Sequence, residues 1–438
     1  MGKRNPLKDI VAKGKNGKRL AITSVCSSNA YVLEAAMERA LPRGELLLVE
    51  ATANQVNQLG GYTGMRPADF ASSVSALANR VNFPRQRLLL GGDHLGPLVW
   101  RDRGSDEAMA LAKDLVREFV AAGFNKIHID TSMPLGDDHN SEFGELKVAE
   151  RGAQLCEVCE RAYAELAATG RSNMHPAYVI GSEVPTPGGM QNGDEGVSVT
   201  TVEDFRKTVK TFREAFANRG LSGAWSHVVA VVVQLGVEFG DDEIREYDRS
   251  KAAHLIVSLD EYPELAFEGH STDYQTKEAL REMVEDGVSI LKVGPALTFA
   301  LREALFSLGM MENVIAEYDK SIEPSHFVAV LDRAMMEKPG DWERHYNGTT
   351  GEQIAFKRKY SFSDRCRYYL PETSVQASID RLIANLRKSE PPLSLVSQFM
   401  PRQYSLIRSG LIDRDPESLI KSRIAECLDE YGYATRKD

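Results

Sequence analysis

Over its first 310 residues the chain alternates short apolar, strand-like runs with amphipathic helical ones, and this alternation restricts the folds open to it. The strand candidates are Leu20–Val25, Leu46–Ala51, Arg87–Gly92, Lys126–Asp130, Ala177–Ser182, Val228–Leu235, Leu265–Gly269 and Ser289–Val293. Helical patterns fill the gaps, notably Tyr31–Leu41, Pro67–Val81, Asp106–Ala122, Val202–Asn218, Gln275–Asp286 and Ala296–Leu308. Eight such units predict a (β/α)8 TIM barrel over residues 1–310, with any active site at the C-terminal ends of the strands. A doubly wound open sheet is the rival, but no G-x-G-x-x-G follows the first strand. Beyond residue 310 the pattern changes to helices and loops, which predicts a mainly helical C-terminal extension, 311–438, packed on the barrel.

A barrel of this kind demands polar residues just after its strands, and the sequence supplies them. Ser27-Ser28-Asn29 follow the first strand; Glu50 closes the second, and Asn54-Gln55-Val56-Asn57-Gln58 come next. Asp93-His94 end the third, Asp130 the fourth and Glu183 the fifth; Gln234 and Glu238 flank the end of the sixth. The seventh carries Glu268-Gly269-His270-Ser271-Thr272-Asp273. Within Gly91-Gly92-Asp93-His94-Leu95-Gly96-Pro97, neighbouring side chains can serve one site only if the strand ends there, and the glycines permit such a bend. Asp93 would then move a proton while His94 holds a metal; the alternative is a loop in which Asp93 caps a helix and His94 lies on the surface.

His94, His270 and one carboxylate, Glu183 being the first choice, form an N/N/O set suited to Zn²⁺ or a similar divalent ion, with Gln234 or Glu238 as further ligands. Phosphate has its own candidates. The loops carrying Ser271 and Thr272, and Gly294 through Thr298, are small, rich in donors and open into helices, as the phosphate loops of many barrels do. Gly294-Pro295 equally fits a plain helix start with Pro in its first turn. In Arg358–Tyr369, Arg365 and Arg367 suit either a phosphate clamp or an interdomain face.

Composition sets outer bounds. A net charge of -10 argues against nucleic acid as a partner and leaves room for an anionic small substrate in a local cationic pocket. The longest apolar run, Val228–Val233, falls far short of a membrane span. The basic start, Met1-Gly2-Lys3-Arg4-Asn5-Pro6, leads into no apolar signal segment, so a cytoplasmic location is expected. The five cysteines match no disulfide framework, and Cys156 and Cys159 read as helix packing within 146–166. No Walker A pattern, kinase glycine-rich loop or D-F-G is present, which argues against an ATP-dependent sugar kinase.

Several long segments resemble one family. They are Val49 through Met65, Gly91 through Pro97, Tyr178 through Pro185, Gly269 through Gln275, Leu291 through Arg302 and Tyr360 through Arg365, and the resemblance to the GatZ/KbaZ family runs almost end to end. That family was named as the "non-catalytic" subunit of class II D-tagatose-1,6-bisphosphate aldolase and is often labelled tagatose 6-phosphate kinase; some members are D-tagatose 6-phosphate 4-epimerases. The resemblance implies a TIM barrel akin to class II aldolases, in which Asp93 and His94 fall on the proton-transfer acid and zinc ligand after the third strand, and His270 on the seventh-strand metal histidine. The sixth-strand metal histidine is replaced within Val233-Gln234-Leu235-Gly236, making Gln234 the expected substitute, and Ser28-Asn29-Ala30 stands where the family pattern reads Ala-His-Pro.

The expected function is therefore epimerisation of D-tagatose 6-phosphate to D-fructose 6-phosphate by retro-aldol and aldol steps. Asp93 is the leading acid/base, with Glu183, Asp130 or Asp273 serving the opposite face. The cofactor is a divalent metal, Zn²⁺ first, with Mn²⁺ or Mg²⁺ as alternatives, held by His94, His270, Glu183 and Gln234. Substrate contacts are expected from Glu50, Asn54, Gln58, Ser271, Thr272, Gly294, Thr298, Arg365 and Arg367. The alternative function is a stabilising subunit for a separate class II aldolase chain. The expected partners are thus a phosphorylated ketohexose, an aldolase subunit or another copy of the chain, and neither nucleic acid nor membrane.

Overall fold

A computed structural model describes residues 3–13, 19–139, 143–170, 174–182, 184, 197–346, 348 and 350–436. The strands are β1 (Ile22–Cys26), β2 (Leu47–Thr52), β3 (Leu88–Leu95), β4 (Lys126–Ile129), β5 (Ala177–Ile180), β6 (Val228–Val233), β7 (Glu238–Phe239), β8 (Ile244–Arg245), β9 (Ala266–Gly269) and β10 (Val288–Val293). All but β7 and β8 close into one parallel barrel in the order β1-β10-β9-β6-β5-β4-β3-β2. β7 and β8 form a small antiparallel hairpin between the sixth and seventh barrel strands. The (β/α)8 expectation holds, and the strands start or stop within a few residues of their predicted limits.

Alternation along each strand sorts the side chains into two cores. Outward residues such as Val25, Val49, Ile127, Ile180, Phe267 and Leu291 pack under the helical ring. Inward residues Ile22, Leu48, Leu89, Val179 and Ile290 fill the lower barrel, where the N-terminal helix Pro6–Lys13 inserts Leu7 and Val11 as a plug. Sequence patterning did not single out this helix. Asn5 fixes its approach, donating to the carbonyls of Asn125 and His175 at 2.7 and 3.1 Å. Among the described residues no helix is long and apolar enough to cross a membrane.

The helix expected to end at Leu308 runs from Pro295 to Tyr318, straight through residue 310. After it, helices Phe327–Glu337, Gly351–Tyr360 and Thr373–Lys388 lead to the last helix, Pro416–Thr435. That helix returns to the barrel and packs against Ala30–Ala40, Lys277–Glu285 and Pro295–Tyr318. Cys156 and Cys159 are buried free thiols within the helix Glu145–Ala168, in keeping with a packing role.

Candidate active site

The third strand does not end before Asp93, as its glycines had suggested, but continues to Leu95 with a bulge. Gly92 pairs with Ile127 and Leu95 with Ile129, so β3 carries one extra residue between these pairs, and His94 takes a left-handed φ of 47°. The bulge turns both Asp93 and His94 to the barrel mouth where regular alternation would separate them. Two glycines make room. A Cβ on Gly91 would lie 2.7 Å from Cγ of Glu50, and one on Gly96 would lie 1.6 Å from the Asp130 carbonyl oxygen.

At the mouth Asp93, His94, His128 and His270 each offer a ligand atom, all within 4.8 Å of one another. The ring centroids form a triangle with sides of 4.9, 5.1 and 5.1 Å. Each imidazole is backed by a carboxylate: His94 Nδ1 by Asp130 at 2.8 Å, His128 Nδ1 by Asp93 at 2.8 Å and His270 Nε2 by Glu268 at 2.9 Å. Donation to those carboxylates leaves the opposite nitrogen of His94 and of His270 as a lone-pair donor, the arrangement that orients histidines for metal ions, while Nδ1 of His128 also meets the His94 amide at 3.1 Å. Nε2 of His128 is buried and has no hydrogen-bond partner among the described residues. Burial disfavours a charge on His94, yet Asp93 and Asp130 outweigh it and raise its pKa above the ordinary imidazole value. Burial dominates at His270, whose pKa falls to about 3. Three imidazoles and a carboxylate converging on one spot fit a divalent cation.

Beneath this cluster lies a buried ionic layer. Lys126 donates to Glu50 at 2.8 and 3.0 Å and to Glu268 at 3.0 Å; Lys292 reaches Asp93 at 2.6 Å and Glu50 at 3.2 Å. Burial would raise the Asp93 pKa, but Lys292 and the neighbouring histidines hold it well below the usual carboxylate range. Glu50, expected to touch substrate, thus belongs to the layer under the site.

Above the cluster is a cavity of about 80 Å³, lined among others by Asn54, Asp93, His94, His270, Ser271, Asp273, Lys292 and Gly294. Tyr62 and the C-terminal Arg367 and Tyr368 also line it, with the tyrosine rings 4.6 Å apart. A second cavity of about 330 Å³ shares Cys26, Gln55, Tyr62 and Arg367 with the first and extends over Ser27, Ser28, Asn29 and Thr298.

Other expected residues are placed elsewhere or spent on the protein. Glu183 lies outside the described residues. Gln234 is no metal ligand here, since its Oε1 accepts from the Gly236 and Val237 amides at 2.8 and 3.1 Å. Gln58 donates to the Leu111 carbonyl, and Arg365 donates through Nε to the Asp341 carbonyl and stacks on Tyr368. The loops expected to bind phosphate are partly closed from within, since Thr272 donates to the Lys292 carbonyl and Thr298 to Asp364, while Ser271 lines the cavity. The Gly294 and Ala296 amides both donate to Oδ1 of Asp273 at 2.9 Å. Asp130 is bound to His94 and Ser132.

Sequence reading passed over Lys126, His128 and Lys292. Their signal was present: Lys126, His128 and Asp130 alternate along one strand, and inside a barrel such a polar stripe faces the axis.

Residues 7–436 match the model of the family described as D-tagatose-1,6-bisphosphate aldolase subunit GatZ/KbaZ-like. The D-tagatose-1,6-bisphosphate aldolase subunit GatZ of Salmonella gallinarum is 43% identical over 99% of this chain and 100% of its own. The protein of the same name from Klebsiella pneumoniae subsp. pneumoniae is 43% identical over 98% of both chains. A crystal structure of a probable tagatose 6 phosphate kinase from Sinorhizobium meliloti 1021 superposes with a TM-score of 0.85 at 40% identity, covering 94% of this chain and 100% of that one.

Proposed function

The chain belongs to the D-tagatose-1,6-bisphosphate aldolase subunit GatZ/KbaZ-like family, and from that premise we propose that it is itself a catalyst, a D-tagatose 6-phosphate 4-epimerase working by retro-aldol and aldol steps. The observation that carries this reading is the trio of carboxylate-backed imidazoles beside an ionised Asp93 under one cavity. A subunit that only stabilised a partner would have no physical use for such a costly buried cluster.

His94, His128 and His270 would hold the cation, with Zn²⁺ the first choice for three imidazoles and Mn²⁺ or Mg²⁺ as alternatives. When bound, the cation supplies the positive charge that polarises a ketose carbonyl and balances a developing enediolate. Asp93 presents Oδ2, since Oδ1 is engaged by Lys292 and His128. That carboxylate takes the proton from the C4 hydroxyl as the C3–C4 bond breaks, leaving an aldehyde at C4 and the bond's electron pair on the enediolate fragment. Rotation of the aldehyde and return of the pair to its other face remake the bond with C4 inverted and its oxygen turned away from Asp93, so an acid on the opposite face protonates it, Asp93 loses its proton to solvent and solvent reprotonates that acid. Arg367 also lines the second cavity with Ser28 and Asn29, a cavity that Asp273 does not line, and there it is the proposed contact for the 6-phosphate; Glu183 is the candidate acid for the opposite face.

The names of the relatives support a second reading, a subunit acting through an aldolase partner. Purified chain alone, given D-tagatose 6-phosphate with Zn²⁺, Mn²⁺ or Mg²⁺, should form D-fructose 6-phosphate. Asp93→Asn should lower kcat by about 10²–10⁴-fold with fold retained. No turnover with any of these ions, together with stabilisation of an added class II aldolase chain, would favour the second reading.

A further inference from the structure

The helix Pro295–Tyr318 starts at the cavity with its free amides pointing at an anion, but the anion is the protein's own. Oδ1 of Asp273 accepts from the amides of Gly294 and Ala296, both at 2.9 Å, and so takes the place that a phosphate oxygen would occupy at a helix N-terminus. Two of the nearby hydroxyls are turned away as well, Thr272 to the Lys292 carbonyl and Thr298 to Asp364, which leaves Ser271 as the hydroxyl of these loops that lines this cavity. Asp273 nevertheless lines the cavity, alongside Ser271 and Lys292, and so sets a carboxylate at this end of it.

A phosphate seated against this helix would compete for the same two amides a few ångströms from a carboxylate, and like charges so close in a partly desolvated site repel by more than a tenfold loss of affinity represents. A hydroxyl has the opposite chemistry and can donate to the carboxylate. We propose that Asp273 is a specificity-determining residue that makes this end of the site accept a hydroxymethyl group and reject a phosphate, so that the chain takes singly phosphorylated ketoses and excludes 1,6-bisphosphates. This rests on the ketose-phosphate reading of the site. Burial raises the Asp273 pKa to about 6, which leaves it mostly ionised at neutral pH and lets it favour hydroxyl over phosphate there.

The experiment is calorimetric binding at pH 7.5 of D-fructose 6-phosphate and D-fructose 1,6-bisphosphate to the metal-loaded full chain, as wild type and as Asp273→Asn and Asp273→Ser. The wild type should bind the monophosphate at least about tenfold more tightly, and both variants should narrow that ratio by about tenfold, chiefly through tighter bisphosphate binding. Circular dichroism identifies a variant that fails to fold, and the other variant then carries the test of Asp273. Equal or tighter bisphosphate binding by the wild type overturns the proposal, as does an unchanged ratio in folded variants. A chain that shows the preference but does not interconvert the 6-phosphates would sink the epimerase reading and leave this one standing.

Discussion

Lys126 is wholly buried, its ammonium held between Glu50 and Glu268. An uncompensated buried charge costs far more than a surface one, so the pairing is obligatory whatever its net contribution to stability. Replacing Lys126 with Met leaves two carboxylates facing each other, with Lys292 as their remaining cation. Lys126→Met should lower the unfolding free energy by about 3–5 kcal/mol in urea titrations, and adding Glu50→Gln should recover part of the loss. Asp130 acts one bond away from the cluster, holding Nδ1 of His94. Asp130→Asn should keep the fold and weaken metal binding by about 10–100-fold, read by competition with a chromogenic chelator, whereas His94→Ala should remove a donor outright. At this scale Asp93, His94 and His270 were legible as candidates because they fall at or near the C-terminal ends of strand-like runs in an unusual sequence. His128 was not, because a histidine flanked by isoleucines reads as core until the barrel axis is known.

Elements place these residues through register. The β3 bulge decides that Asp93 and His94 share a site, and nothing in Gly91-Gly92-Asp93-His94 distinguishes a bulge from a strand end. At the opposite rim, His175 before β5 and His227 before β6 stack with centroids 3.5 Å apart. Burial, helped by the His175 ring, lowers the His227 pKa to about 4, against about 6.5 for an unfolded chain. The fold therefore favours neutral His227, and its contribution to stability is complete above about pH 6.5 and lost as pH falls through about 4. His227→Phe keeps a ring in the stack and cannot take up that proton. Its Tm should fall less than that of the wild type between pH 7 and pH 4 in differential scanning calorimetry.

Over the whole molecule, barrel and extension share one cavity. Arg367 and Tyr368 come from the extension and line the cavity above Asp93 and His94. Tyr431 of the last helix donates to the Thr272 carbonyl at 2.7 Å, tying the end of the chain to the loop after β9. A chain cut after Tyr318 would expose the apolar faces of the helices Ala30–Ala40 and Pro295–Tyr318 and lose one wall of the site. Such a truncation should be largely insoluble or bind the hydrophobic dye ANS strongly, and a wild-type digest should yield no stable fragment ending near residue 310.

Local patterning was enough to define the alternating elements, the barrel they close into and the strand-end residues Asp93, His94 and His270, because periodicity and strand ends are properties of short segments. Which polar groups meet one another depended on contacts between segments far apart in the chain. Only the tertiary structure brought His128 into the cluster, put Glu50 beneath it and tied Gln234 to its own loop. It also turned the expected phosphate loop into a helix capped by Asp273, because the Gly294 and Ala296 amides take whichever anion the fold places nearest.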